Sequence, residues 1–156
     1  MIVQISKRPD GSGVLKCTRA DGSVTWEKRE KHAGFFALHD LTHFAVESAL
    51  GFRHGFYGLV AEGWDVEDTT GKGKRGPLPA EATVVEQLAG LFDREQSSDE
   101  IPLSEFNKLA APRVLATDDL ARVRALKAKL AAQWFGLDSK ATLELTIAPG
   151  VPISAA

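Results

Sequence analysis

The sequence predicts an α+β protein: a small antiparallel sheet drawn from both ends of the chain, packed on three to four helices. Three observations predict it. Two Asp-Gly turns interrupt strand-like runs near the N-terminus, an alternating run returns at 141–147, and between them the hydrophobic period becomes helical. The chain has 156 residues, with 44% hydrophobic and 26% charged, a balance that suits a folded protein and excludes disorder. We read 1–156 as a single domain with a loose tail from about 149.

The N-terminal elements read as a meander. Ile2, Val3 and Ile5 begin it, Asp10-Gly11-Ser12-Gly13 turns it, and Val14, Leu15 and Cys17 run to a second turn at Asp21-Gly22. Glycine supplies the positive φ such turns need. From Ser23 to about Lys28 the strand alternates, with Val24 and Trp26 on one face and Thr25 and Glu27 on the other. Trp26, Trp64 and Trp134 are expected in the core or at its edge.

A helix follows from about Phe35 to Leu50. It holds no Gly or Pro and is apolar almost all round, the pattern of a buried central helix, with Gly51 at its C-terminal cap. A short helix is expected over 56–62. Residues 65–79 form a loop, acidic at first and then basic and Gly-rich through Lys72, Lys74 and Arg75. Pro79 opens a helix to about Glu95, and Ser104–Ala111 reads as a short helix. Thr117 is expected to cap the last long helix, which ends at Gly136. Leu143, Leu145 and Ile147 then share one face of a strand expected to join the N-terminal sheet.

Charge and composition exclude several functions. Nineteen basic and 21 acidic residues leave a net charge of −2, which disfavours a nucleic-acid footprint. No apolar run is long enough to span a membrane, and no signal-peptide core follows the N-terminus, so a cytoplasmic location is expected. The single Cys17 cannot form an internal disulfide or a thiolate metal site. Chemistry is left to the four histidines, the carboxylates and the hydroxyls.

Two of those histidines fall on the central helix in the run Leu38-His39-Asp40-Leu41-Thr42-His43-Phe44-Ala45-Val46-Glu47. His39 and His43 are four apart, hence on one helix face, with about 6 Å of rise between them. That spacing can hold one divalent ion, zinc among the candidates. Asp40 and Glu47 are the candidate catalytic carboxylates, either of which could take a proton from a metal-bound water. Arg53 and His54 could stabilise negative charge. Glu62, just past the short helix, is the candidate third ligand.

The segment His39-Asp40-x-x-His43, with Glu62 downstream, resembles the gluzincin type of zinc metallopeptidase. The resemblance implies His39, His43 and Glu62 as ligands and Asp40 as general base, where that family carries Glu. An aspartate is one methylene shorter, which weakens the peptidase reading more than the metal reading. The run around His39–Glu47 also resembles small bacterial proteins of unknown function with an HDLxH helix motif, and these imply no activity.

The expected function is therefore a metal-binding protein, with a metal-dependent hydrolase acting on a small molecule or peptide as its sharper form. The alternative is a non-catalytic interaction protein, in which the histidines are core hydrogen-bonding groups and the basic 72–75 loop or a sheet edge meets a partner.

Overall fold

The computed structural model describes residues 1–71 and 73–147. The expected loose tail from 149, and Lys72 of the basic loop, lie outside the described residues. Strands β1 (Ile2–Lys7), β2 (Gly13–Thr18), β3 (Val24–Arg29) and β4 (Thr142–Thr146) form one antiparallel sheet in the order β3-β2-β1-β4. The α+β expectation holds, and both ends of the chain meet in the sheet.

The two hairpins use the same chemistry. Asp10 Oδ1 accepts the amide of Ser12 at 2.9 Å and its hydroxyl at 2.6 Å, and Asp21 Oδ1 does the same for Ser23 at 2.9 and 2.7 Å. Between them Gly11 and Gly22 take φ of 79° and 83°, a region costly for residues with a Cβ. At the other edge β4 lies along β1 with Leu145 opposite Val3, and the Ile147 amide donates to the Met1 carbonyl at 2.8 Å.

One face of the sheet is buried through Val3, Ile5, Leu15, Cys17 and Leu143. Strand β3 departs from expectation. Trp26 points outward and is 63% exposed, with Val24 beside it on the outer face. The inner face of β3 carries Thr25, Glu27 and Arg29 instead. Thr25 Oγ1 accepts the buried Val66 amide at 3.0 Å, and Glu27 and Arg29 line a cavity. Alternation settles that the two sets face opposite ways, and the partners of the polar set decide which turns inward.

Five helices complete the described fold: α1 (Ala33–Leu50), α2 (Phe56–Ala61), α3 (Ala80–Arg94), α4 (Leu103–Leu109) and α5 (Thr117–Gly136), with a 3₁₀ turn at Asp68–Thr70. Helix α1 is central. It packs on α3, α5 and β2, and every residue from Asp40 to Glu47 is buried. Gly51 caps it at φ 72°, donating to the Glu47 carbonyl. Each large side chain in this core, such as Phe44 or Leu41, contributes about 1.5–3 kcal/mol by leaving water.

Helix α5 starts differently from expectation. Ala116, not Thr117, is its N-cap, and the Asp119 carboxylate accepts the Ala116 amide at 2.9 Å. The acid three residues along thus satisfies the N-cap amide, and no side chain at the N-cap accepts a first-turn amide as the threonine hydroxyl was expected to do. Trp134 is buried as expected. No helix among the described residues is long and apolar enough to cross a membrane.

Candidate metal centre

His39 and His43 project from one face of α1 toward α3. Their Nε2 atoms are 3.1 Å apart, with the rings edge to face at 4.6 Å between centroids. From α3, Glu86 places Oε2 at 2.9 Å from His43 Nε2 and Oε1 at 3.8 Å from His39 Nε2. The ligand atoms of His39, His43 and Glu86 all lie within 4.8 Å of one another, close enough to hold one metal ion. Two imidazoles and one carboxylate leave further coordination positions to water or a ligand, which separates such a set from a closed structural site.

A carboxylate behind His39 orients it, whereas the Nδ1 of His43 is buried without a hydrogen-bond partner. His39 donates from Nδ1 to Asp93 Oδ2 at 2.6 Å, leaving the Nε2 lone pair directed at the cluster. Asp93 Oδ1 also meets the Thr42 hydroxyl at 2.7 Å and accepts the Gln96 amide at 3.0 Å. Burial opposes the charge of Asp93, but bonds from His39 and Thr42, with Lys127 nearby, hold its pKa below the usual aspartate value. Behind His43, Glu47 Oε1 stands 3.8 Å from Nδ1.

The cluster attracts positive charge. Burial disfavours the imidazolium of His43, yet Glu47 and Glu86 outweigh it and raise the pKa to about 9. Glu86 responds in the opposite sense: its bond from His43 overcomes burial and lowers its pKa. At neutral pH a proton on His43 Nε2 is therefore shared toward Glu86 and His39. A divalent ion would take that proton's place.

Glu47 does different work from the catalytic role expected of it. It is fully buried, and its two oxygens accept the amides of Tyr57 at 3.1 Å and Gly58 at 3.0 Å, the first free N–H groups of α2. A carboxylate here also complements the positive end of the helix. Two glycines make room. A Cβ at Gly55 would come within 2.5 Å of the Glu47 carboxyl carbon, and one at Gly58 within 1.8 Å of the Arg53 carbonyl oxygen. Glu47 thus fixes α2, and with it Phe56, whose ring centroid lies 5.6 Å from that of His43.

The same anchoring carries Glu62 away. It follows the far end of α2, about 6–7.5 Å along the axis from the pinned amides, and pairs with His54 Nε2 at 3.2 Å. It takes no part in the His39–His43 group, and Glu86 supplies the carboxylate instead. His54 and Arg53 also lie apart, their amides both bonded to Glu81 Oε1 at 2.6 Å.

Asp40 is 3% exposed and faces the same cavity as the histidines. Burial raises its pKa to about 6, against the pull of Arg29, whose NH2 lies 3.8 Å from Oδ1. The cavity has a volume of about 620 Å³ and is bounded by α1, α2, α3, β3, Val66, Thr69, Thr70 and Leu78. His39, His43 and Glu86 stand in its wall, which Phe36, Phe56, Leu59 and Leu78 continue.

Glu86 and Asp93 escape a reading of the sequence alone. They are seven residues apart, so they share a line along α3 beside the apolar stripe of Val85, Leu88 and Phe92. That line of acids was the available signal. What it lacked was any indication that α3 packs against the histidine face of α1.

No protein-family model, curated protein or solved structure matches the chain. The geometry carries the functional reading by itself.

Proposed function

We propose that the protein is a zinc-dependent hydrolase of a small molecule, with His39, His43 and Glu86 as the ligands. The observation that carries this reading is the convergence of those three side chains in the wall of a cavity of small-molecule size. Two histidines and a glutamate match the donor set of catalytic zinc, and the likeness to gluzincins is now one of ligand types, with Glu86 in place of Glu62.

When bound, the ion would lower the pKa of a coordinated water toward about 7 and polarise a carbonyl. The chain supplies the rest. Asp93 holds His39 in the tautomer that presents Nε2. Asp40, which lines the same cavity, would be the base for a proton released there. Arg29 beside it limits the accumulation of negative charge. Glu47, its oxygens committed to α2, is a positioning residue.

The test is zinc reconstitution followed by metal analysis and turnover of an uncharged ester. We expect one ion per chain, lost in a His39→Ala/His43→Ala variant, and activity lowered roughly a hundredfold or more in Asp40→Asn with zinc retained. Zinc bound through the histidines without turnover of esters or amides would remove the hydrolase reading and leave metal binding. Equal, near-zero metal in wild type and the double variant would leave the histidines as structural hydrogen-bonding groups.

A further inference from the structure

We propose that the cavity beside this centre selects an uncharged, mainly apolar molecule that presents a single oxygen donor to the ion. The inference rests on the metal reading above and narrows its substrate class to neutral esters or amides, excluding phosphoesters and carboxylate-bearing ligands.

Shape and lining give the first argument. The cavity is continuous with His39, His43 and Glu86, and a volume of about 620 Å³ suits a small molecule rather than an extended polymer. Phe36, Phe56 and Leu78 are partly exposed and stand in its wall, with Leu59 and Val66 behind. A ligand here removes apolar area from water on several sides at once.

Charge gives the second. Beyond the ion itself, an anionic group carried elsewhere on the ligand needs cationic donors free to meet it. Among the described residues lining the cavity, Arg29 is the one arginine or lysine. It is already engaged: NH1 is 3.1 Å from Glu27, NH2 is 3.8 Å from Asp40, and its guanidinium lies 4.6 Å from the Phe36 ring centroid. Its charge is matched by Glu27 and Asp40, and its Nε–H, buried without a hydrogen-bond partner, is a donor that one ligand oxygen could take. Glu27, Asp40 and Glu86 line the same space and repel an anion. A neutral carbonyl asks for no more than the ion and one donor.

The experiment uses the full chain loaded with Co²⁺, whose visible spectrum reports both ion and ligand. The probes are acetamide, hexanamide and the six-carbon amide ending in a carboxylate, each offering one neutral carbonyl oxygen to the ion. We expect hexanamide to gain roughly threefold to fourfold over acetamide for each added methylene, and the carboxylate probe to gain nothing. Leu78 sits on a loop, so its substitution spares the helical core. Leu78→Asp should erase the gain of hexanamide without moving acetamide, and Leu78→Lys should raise binding of the carboxylate probe. Equal binding of the two neutral probes, or tightest binding of the carboxylate probe to wild type, overturns the cavity proposal while the metal reading stands. A cobalt spectrum that is absent, or unchanged in His39→Ala/His43→Ala, overturns both.

Discussion

The molecule carries two groups in which a histidine meets two carboxylates, and they differ in almost everything but composition. At the surface His54 lies between Glu62 and Glu81, at 3.2 and 3.8 Å, with the His54 and Glu62 side chains 47% and 51% exposed. In the interior His43 lies between Glu86 and Glu47, at 2.9 and 3.8 Å, and is itself 5% exposed. Water screens the first group, so its pairs contribute about 1 kcal/mol or less. The second group has a second imidazole, a layer of oriented partners in Asp93 and Thr42, and an adjoining cavity. Ligand-type residues in proximity are common. What distinguishes the inner group is that two imidazoles held on one face of α1 meet the carboxylate of Glu86, itself 65% exposed, which reaches them from α3.

The sharpest way to break the inner group is through its foundation. Glu47→Ala removes the acceptor of two α2 amides and leaves space in the core, so it should cost about 3 kcal/mol or more. The check is the midpoint of urea unfolding, and the same measurement on Glu62→Ala should show almost no change.

Acid and alkali separate the two groups next. His43 has a folded pKa of about 9, above its ordinary value of 6.5, so its contribution is complete below 6.5 and is lost as pH rises through 9. Glu86 and Asp93 are shifted down, so theirs is present above their ordinary values of 4.5 and 3.8 and is lost on acidification. Asp40, raised to about 6, opposes them: its contribution declines as pH rises from 3.8 through 6. Unfolding in a pH series should therefore show a loss of roughly 2–3 kcal/mol between pH 6.5 and 9 in chelator. Saturating zinc, which replaces the His43 proton, should flatten that limb. His54→Ala should leave both curves in place.

A smaller effect tests the outer layer. Asp93→Asn keeps the shape beside His39 but loses the carboxylate that orients it, and zinc affinity should fall roughly tenfold to a hundredfold. Glu81→Gln, the matching change at the surface group, should not alter it. The smallest effect concerns Cys17, whose thiol is raised to about 12 by burial, with Asp40 adding to the shift. It should resist alkylation in the native protein at pH 8 and react once the chain is unfolded, because the thiolate is the reactive form.

How much of this was legible in the sequence depended on distance along the chain. The Asp-Gly-Ser turns, the helical run around His39 and His43 and the C-terminal strand follow from local chemistry and period, and each stands where it was expected. The same is true of the histidines' shared face. Three features depend on packing and were not legible. The polar side of β3 turned inward because Thr25 and Arg29 find partners there, which left Trp26 in water. Glu62 was favoured for closeness in sequence, yet anchoring α2 at its first turn sends its far end to the surface. Glu86 and Asp93 lie more than forty residues beyond the histidines, and only the contact of α1 with α3 joins them. Glu47 had a local trace, the two glycines at 55 and 58, whose close approaches announce a backbone pressed against something.

If Glu86 rather than Glu62 joins His39 and His43 around the ion, the two carboxylates separate in zinc affinity measured by competition with a chromophoric chelator in wild type, Glu86→Gln and Glu62→Gln. We expect one site per chain in wild type, affinity lowered at least a hundredfold in Glu86→Gln, and no change in Glu62→Gln. Unchanged affinity in Glu86→Gln, or a loss confined to Glu62→Gln, would contradict that arrangement.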